Sequence, residues 1–143
     1  MNAEGLIGAE EGRANVTYLD TRGIPTWGIG HKDLTSKVGD TWTDDQIDAA
    51  FNADYARAST GIAASLPWWD QLDEVRQAYL VSMAFQMGVQ GVLEFHHTLA
   101  AIQAQQWNQA AQGIRSSDWF TQTPGRAGRC ALAMLDGQWH LPE

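Results

Sequence analysis

Apolar residues recur at intervals of three and four along most of this chain, a spacing that predicts amphipathic helices. The longest regular run consists of the apolar residues Ile47, Phe51, Tyr55, Ala58 and Ile62. Thr43, with Gln46 three residues later, has the pattern of a capping box at the start of this helix, and Pro67 ends it. The sequence therefore predicts one long helix over about residues 43–66.

The part of the chain after Pro67 has the same helical spacing in shorter runs. Three such runs are marked by Val75, Tyr79, Met83 and Met87; by Leu99 and Ile102; and by Trp107, Ala110, Ala111 and Ile114. Gly88 is predicted to end the first of these helices. Thr123 and Pro124 predict the start of a last helix, with Thr123 as its cap and Gly137 at its end.

A different pattern precedes the long helix. Val16-Thr17-Tyr18 and Thr26-Trp27 are strand formers, and Asp20-Thr21-Arg22-Gly23 between them has Asp and Gly at the turn positions that favour them. These residues predict a β-hairpin. The fold class is therefore α+β, mostly α, with one small antiparallel sheet.

Two carboxyl residues flank this hairpin in a way that suggests chemistry. Glu11 falls at the exit of a short helical segment that contains Leu6 and Ile7, and Asp20 lies near Thr26 across the mouth of the hairpin. Cleavage of a glycosidic bond requires such a pair, since one carboxyl must keep its proton for the leaving oxygen while the other stays ionised. We therefore interpret Glu11 and Asp20 as candidate catalytic residues.

Composition narrows the functional class. A chain of 143 residues with 44% apolar residues predicts one globular unit, and the formal net charge of −8 argues against a general nucleic-acid binder. No run approaches the roughly 18 apolar residues of a membrane span, and Met1 to Ile7 lacks the features of a secretory signal. Cys130 is the only cysteine, so we expect no disulfide and a buried, inert thiol.

Around the hairpin, and in two later blocks, the chain resembles the phage-type lysozymes, a muramidase family of glycoside hydrolases. The first block of their signature appears as Glu11-Gly12, Tyr18-Leu19-Asp20 and Gly23 to His31, which contains the Gly-x-x-Thr-x-Gly-x-Gly-His pattern without a gap. A second block lies at Phe85 to Gly88 and a third at Trp119 to Arg126. The three blocks follow the order of the family and span most of the chain.

The resemblance implies a single lysozyme-like domain over residues 1–143. It implies a small lobe at about 13–42 that carries the hairpin, a linking helix at about 43–66 and a helical lobe at about 67–143, with residues 1–12 packed on that helical lobe. A glycan cleft would lie between the two lobes.

The resemblance also implies roles for the residues of the site. Glu11 is expected to act as the general acid, while Asp20 and Thr26 hold the attacking water and Asp20 stabilises positive charge. The family inverts the anomeric carbon, which requires carboxyls roughly 6.5–9.5 Å apart. Glu10, next to the motif residue Glu11, is expected to be solvated.

Further residues are expected to support or line this site. By resemblance Arg126 pairs with Glu11, and His31 pairs with Asp54 of the long helix. The positions that line the glycan cleft in the family correspond here to Lys32, Phe85, Gln86, Thr98 and Gly113. For Phe85 and Gln86, packing in the core is an equally good interpretation. No metal-ligand spacing occurs around the histidines, so we expect neither a metal nor another cofactor.

The function that these observations predict is hydrolysis of the β-1,4 bond between N-acetylmuramic acid and N-acetylglucosamine in bacterial peptidoglycan, by a monomer that binds no nucleic acid and inserts into no membrane. Chitin hydrolysis and transglycosylation are alternatives within the same chemistry. A catalytically silent wall-binding or phage tail module is an alternative of another class. The protein is expected to be made in the bacterial host cytoplasm without a signal peptide. It would reach the periplasmic wall through a holin-type pore or by delivery through a tail or secretion apparatus.

Overall fold

The computed structural model describes all residues, Met1 to Glu143, and contains seven helices and one sheet. The helices are α1 (Ala3–Glu11), α2 (Asp44–Ser65), α3 (Glu74–Leu93), α4 (His96–Gln103), α5 (Trp107–Arg115), α6 (Asp118–Gln122) and α7 (Pro124–Asp136). The strands are β1 (Ala14–Leu19), β2 (Pro25–Gly28) and β3 (His31–Lys32), and a short 3-10 turn occupies Trp69–Gln71. The predicted α+β, mostly α class is confirmed.

The sheet is antiparallel, with its strands in the order β1-β2-β3. Tyr18 pairs with Thr26 across the first two strands, and Thr26 pairs with Lys32 across the second and third. Because directly opposed residues share a face, Tyr18, Thr26 and Lys32 form a row across one side of the sheet. Trp27 and its partner His31 lie on the other side.

The side of the sheet that carries Trp27 has a small core of its own. The Trp27 ring stacks on Trp42, with centroids 3.8 Å apart and planes 5° from parallel. Trp42 Nε1 donates a hydrogen bond to Thr17 Oγ1 at 2.9 Å, which satisfies a buried hydroxyl. Ile47, in the first turns of α2, is fully buried and packs against the Gly28 backbone.

The long helix α2 begins as the sequence predicts. The Thr43 side chain accepts a hydrogen bond from the Gln46 backbone, and the Gln46 side chain accepts one from the Thr43 backbone, so the capping box is confirmed. The helix then runs without interruption for 22 residues, to Ser65. Its first turns contact the sheet, while Ala58 and Ile62 are buried in the helical core.

The main hydrophobic core lies among the helices. It contains 24 buried residues, of which Leu6 and Ile7 come from α1 and every other member lies at Phe51 or beyond. No residue of the sheet belongs to it. The sheet and the helical body are therefore two packing units, and α2 connects them.

One predicted helix signal is confirmed and one is wrong. Gly88 ends the regular part of α3, since its φ of 82° and ψ of 157° are not helical, and a further short helical segment follows it to Leu93. Glycine adopts this positive φ without the strain that a Cβ would cause. Thr123 does not cap α7, because its hydroxyl donates back to the Trp119 carbonyl at 3.1 Å. Pro124 does occupy the start of α7, as the sequence predicts.

The end of α1 is fixed on α7 by a buried ion pair. Both carboxylate oxygens of Glu10 accept hydrogen bonds from Arg129, at 2.7 and 3.0 Å, and the Glu10 side chain is only 2% exposed. The expectation that Glu10 is solvated is therefore wrong. The sequence pattern did not reveal this pair because its members lie 119 residues apart.

The single thiol lies inside the helical core. Cys130 is 2% exposed, and burial raises the pKa of its thiol to about 12. The predicted buried thiol is confirmed. No helix has both the length and the apolar character needed to span a membrane.

The Glu10–Arg129 pair yields a test of stability. We expect Glu10→Gln to lower the free energy of unfolding by about 1–3 kcal/mol, because it leaves a guanidinium unpaired at a largely buried position. The exposed Glu94 offers the control, since Glu94→Gln should change stability by less than about 0.5 kcal/mol. Urea denaturation followed by circular dichroism measures both. Equal midpoints for the two variants would contradict a stabilising role of the pair.

Candidate active site

Glu11 is the last residue of α1, and its carboxylate is held at one oxygen. Arg126 Nη1, from α7, donates to Glu11 Oε1 at 2.7 Å, and both side chains are largely buried. Gly12 follows with φ 70°, a conformation that turns the chain out of the helix toward β1. This is the expected Arg126 pairing.

Arg126 is itself oriented by α3. Its Nη2 donates to the Ser82 hydroxyl at 3.0 Å and to the Ser82 carbonyl at 3.2 Å. Since the guanidinium is a planar fork, these contacts fix the direction in which Nη1 points. Helices α3 and α7 together therefore position Glu11, which comes from a third helix.

The second oxygen of Glu11 lies against the turn between β2 and β3. A Cβ built on Gly30 would collide with Glu11 Oε2 and would stand 2.7 Å from the carboxyl carbon. Gly30 also has a φ of +63°. Only glycine fits this close approach, which brings the sheet and the end of α1 together at the carboxyl group.

Asp20 occupies the first position of the hairpin turn, as predicted. Its Oδ1 accepts backbone hydrogen bonds from Arg22 and Ile24, each at 2.8 Å. These hydrogen bonds fix the orientation of the carboxylate in the turn. Asp20 Oδ2 makes no hydrogen bond within the protein, so this oxygen is available to another molecule.

Thr26 lies on β2 and is 2% exposed. Its hydroxyl donates to the Ile24 carbonyl at 2.8 Å. Because the single hydroxyl proton is used in this way, only the lone pairs of Oγ1 remain for a further partner. Thr26 therefore presents an acceptor.

Tyr18 relates the two carboxylates to one another. Burial raises the pKa of its phenol, and the negative charges of Glu11 and Asp20 raise it further. Both carboxylates therefore lie close enough to Tyr18 for their charges to act on its phenol. In the sequence Tyr18 appears only as part of the Tyr-x-Asp motif. Because side chains two positions apart on a strand share a face, its spacing from Asp20 could have indicated that it lies at the site.

A groove of about 740 Å³ runs between the sheet and α3. Among its lining residues are Lys32, Phe85 and Gln86, three of the predicted substrate-binding residues. Lys32 Nζ donates across the groove to the Gln86 carbonyl at 3.2 Å. The Gln86 side chain is held by Trp119 Nε1 at 3.0 Å, and the Phe85 ring packs near Phe51.

Thr98 and Gly113, the other two predicted substrate-binding residues, are not among the residues that line this groove. They meet each other between α4 and α5, so closely that a Cβ on Gly113 would collide with the Thr98 hydroxyl. Thr98 is 4% exposed. Their contact contributes to helix packing, and a role in substrate binding stays a prediction.

His31 and Asp54 join the sheet to α2. His31 Nδ1 lies 2.7 Å from Asp54 Oδ2, and the other Asp54 oxygen accepts from Arg57 at 3.2 Å. The edge of the His31 ring meets Trp27, with centroids 4.7 Å apart. No group of three or more His, Cys, Asp or Glu side chains is arranged to hold a metal ion.

Sequence reasoning missed the charge of the groove. Arg22 and Arg57 line it together with Lys32, so three of the nine basic residues of an acidic chain surround one space, against one acid, Asp54, which pairs with Arg57. Arg22 comes from the hairpin turn and Arg57 from α2. Their meeting depends on how the sheet packs on α2, which the local pattern of residues does not specify.

Known proteins resemble this chain over most of its length. It is 33% identical, over 96% of its residues, to the pre-baseplate central spike protein Gp5 of Enterobacteria phage T4, but it spans only 28% of that protein's length. It is 30% identical to a probable T4-type lysozyme 1 of Dictyostelium discoideum, with 92% of each chain covered. It is 34% identical, over 77% of its residues, to 12% of the peptidoglycan hydrolase gp36 of Pseudomonas phage phiKMV.

The family described as phage lysozyme matches residues 8–131, a range that contains Glu11, Asp20, Thr26 and Arg126. The resemblance seen in the sequence motifs is thereby confirmed. The chain belongs to the phage lysozyme family.

Proposed function

We propose that this protein is a muramidase that hydrolyses the β-1,4 bond between N-acetylmuramic acid and N-acetylglucosamine in bacterial peptidoglycan. The observation that carries the proposal is that Glu11 and Asp20 each have one oxygen bound by the protein and the other without a hydrogen bond, and that the charges of both act on Tyr18. Family membership and the peptidoglycan hydrolase among the relatives support the same substrate.

Glu11 serves as the general acid. Arg126 binds Oε1, and the carbonyl oxygen of a protonated carboxyl group still accepts such a hydrogen bond. Oε2 then carries the proton that passes to the departing glycosidic oxygen. Proton transfer of this kind contributes typically about 10²–10⁴ in rate.

Asp20 and Thr26 hold the attacking water. A water molecule that gives one proton to Asp20 Oδ2 and the other to Thr26 Oγ1 keeps a lone pair for the anomeric carbon. The Thr26 hydroxyl suits this task because its own proton is engaged by Ile24, so that it accepts from the water. The ionised Asp20 also stabilises the positive charge that develops on the sugar.

The bond changes balance in one step. The bond from the anomeric carbon to the leaving oxygen breaks, and a bond from that carbon to the water oxygen forms on the opposite face. Glu11 gives a proton to the leaving sugar, and Asp20 takes one from the water. Return of that proton to Glu11 through solvent completes the addition of one water molecule, with inversion.

The charge of the groove favours peptidoglycan over chitin. Arg22, Lys32 and Arg57 surround it, while chitin is a neutral polymer. The peptide stems on muramic acid carry carboxylates that such cations attract. We assign the binding of the sugars to Phe85 and Gln86, and also to Thr98 and Gly113, which lie nearer the helix packing. We assign the support of the sheet to His31 and Asp54.

A second candidate function is a catalytically silent wall-binding or phage tail module. The likeness to a phage spike protein, of which the chain spans 28%, favours it. The presence of Glu11, Asp20 and Thr26 together favours the enzyme, because a structural module has no need of them. We propose action as a monomer on the periplasmic wall, reached through a holin-type pore or by tail-type delivery.

The identity of the acid is tested by substitution. We expect Glu11→Gln to lower lysis of outer-membrane-stripped cells by at least about 10²-fold, since the amide has no proton to give. Glu4→Gln should retain the activity, because Glu4 is exposed and lies in the first turn of α1, at the other end of that helix from Glu11. A decrease in turbidity with time measures both.

The products distinguish the competing reactions. Hydrolysis with inversion releases reducing ends whose fresh anomeric configuration, followed by proton nuclear magnetic resonance, is opposite to that of the substrate. Anhydro-sugar ends would indicate transglycosylation instead. Sedimentation with purified wall without any new ends would favour the silent module.

The contact between Gly30 and Glu11 yields a matched pair of variants. Gly30→Ala should lower kcat by about 10²-fold, because its methyl group would displace the carboxyl that must meet the leaving oxygen. Gly39 also has a positive φ, +98°, but nothing lies within 4 Å of its would-be Cβ. Gly39→Ala therefore has the same kind of backbone strain and should keep its kcat. Similar kcat losses in both variants would assign the effect to strain alone.

Arg126 should affect turnover through the orientation of Glu11. In Arg126→Gln the carboxyl group loses the charged donor that holds Oε1 at 2.7 Å, so kcat should fall by at least about 10-fold because Oε2 no longer meets the leaving oxygen. Arg115→Gln, at the end of α5, is the control and should leave kcat unchanged. An unchanged kcat in Arg126→Gln would show that the pair does not orient the acid.

A further inference from the structure

The phenol of Tyr18 is unlike that of the buried tyrosine of the core. Tyr79 donates to the His140 carbonyl at 2.8 Å and accepts from the His140 backbone at 2.7 Å, so its hydroxyl is fully engaged. The Tyr18 hydroxyl makes no hydrogen bond within the protein, and the residue is 38% exposed. A polar group in this state is free to bind a ligand.

The sheet places Tyr18 in one row with a residue of the groove. Tyr18 pairs with Thr26, and Thr26 pairs with Lys32, which places the three side chains in a row on one face. Lys32 at the end of this row reaches the Gln86 carbonyl of α3. The face that carries Tyr18 is therefore the face whose Lys32 end borders the groove, and Tyr18 lies outside the groove lining, at the other end of the row.

The surroundings of the phenol make it a hydrogen-bond donor. Burial and the charges of Glu11 and Asp20 raise its pKa, so the hydroxyl keeps its proton over the range in which the site works. The phenol makes no hydrogen bond to either carboxylate: the protein donors on Glu11 and Asp20 are Arg126 and the backbone amides of Arg22 and Ile24. The donor is therefore close enough for both carboxylates to act on it but has no acceptor in the protein.

We propose that Tyr18 contacts the substrate, with its phenol donating a hydrogen bond to an oxygen of the sugar at the scissile linkage and so holding that linkage between Glu11 and Asp20. This inference rests on the proposed function, because the acceptor is a sugar in the same groove. Sugar hydroxyl and acetamido oxygens are suitable acceptors for a neutral phenol.

The test is Tyr18→Phe, which removes one oxygen and keeps the ring. With soluble peptidoglycan fragments as substrate, kcat/KM should fall about 3- to 10-fold, the effect of one neutral hydrogen bond. Both limbs of the pH–rate profile should stay in place, because the phenol acts on the substrate and not on the carboxyl groups. Tyr55→Phe on α2 is the matched control: burial also raises the pKa of Tyr55, but this residue packs against the helical core and is not acted on by Glu11 or Asp20. It should leave kcat/KM unchanged.

Binding separates this inference from the proposed function. Calorimetric titration of the same fragments should give a Kd about 3- to 10-fold weaker for Glu11→Gln/Tyr18→Phe than for Glu11→Gln alone. That result supports the sugar contact even if the wild-type protein cleaves nothing. An unchanged Kd and kcat/KM in Tyr18→Phe would overturn the proposal, as would a shifted pH limb, which would assign the phenol to the carboxylates.

Discussion

The site depends on one constraint, which is that the end of α1 is held on α7 by two adjacent ion pairs. Arg126 and Arg129 lie three residues apart, on one face of α7, and each binds one of two consecutive glutamates. Arg129 takes both oxygens of Glu10, whereas Arg126 takes only one oxygen of Glu11. The first pair fixes the helix, and the second leaves a carboxyl oxygen facing the sheet. The difference in how the two arginines bind thus separates a structural glutamate from the one that we propose as the general acid.

The sheet supplies the other half of the site through its hydrogen bonds. In the hairpin turn the backbone saturates one oxygen of Asp20, and the Ile24 carbonyl uses the only proton of Thr26. Both side chains are thereby left with acceptor oxygens that the protein does not use. The polarity of the site follows from this, with a proton donor on the helix side and two acceptors on the sheet side.

Most of the fold could be predicted from the sequence because its signals are local. The capping box at Thr43 and the turn at Asp20 involve residues a few positions apart, and both are present in the structure. The helix after Gly88 was missed because packing, not the glycine itself, decides whether the chain resumes its helix. The buried state of Glu10 was missed for a related reason, since its partner is distant in the sequence.

The sequence predicted the residues of the candidate site better than it predicted what surrounds them. Glu11, Asp20, Thr26 and Arg126 could be named from a pattern of consecutive blocks. The close approach of Gly30 to a carboxyl oxygen and the cluster of cations around the groove required the relative placement of the sheet and α2. Such placement arises from side-chain packing that no short stretch of sequence encodes.

The separate cores have a consequence for how the molecule loses its structure. The unit that carries Asp20 and Thr26 is stabilised by a few side chains around Trp27 and Trp42, whereas the unit that carries Arg126 has 24 buried residues. Local opening costs least where the fewest apolar contacts are broken. We therefore expect backbone amides of the hairpin to exchange with solvent faster than those of α3. Gentle warming would then disorder the water-binding half of the site while the helical half remained folded.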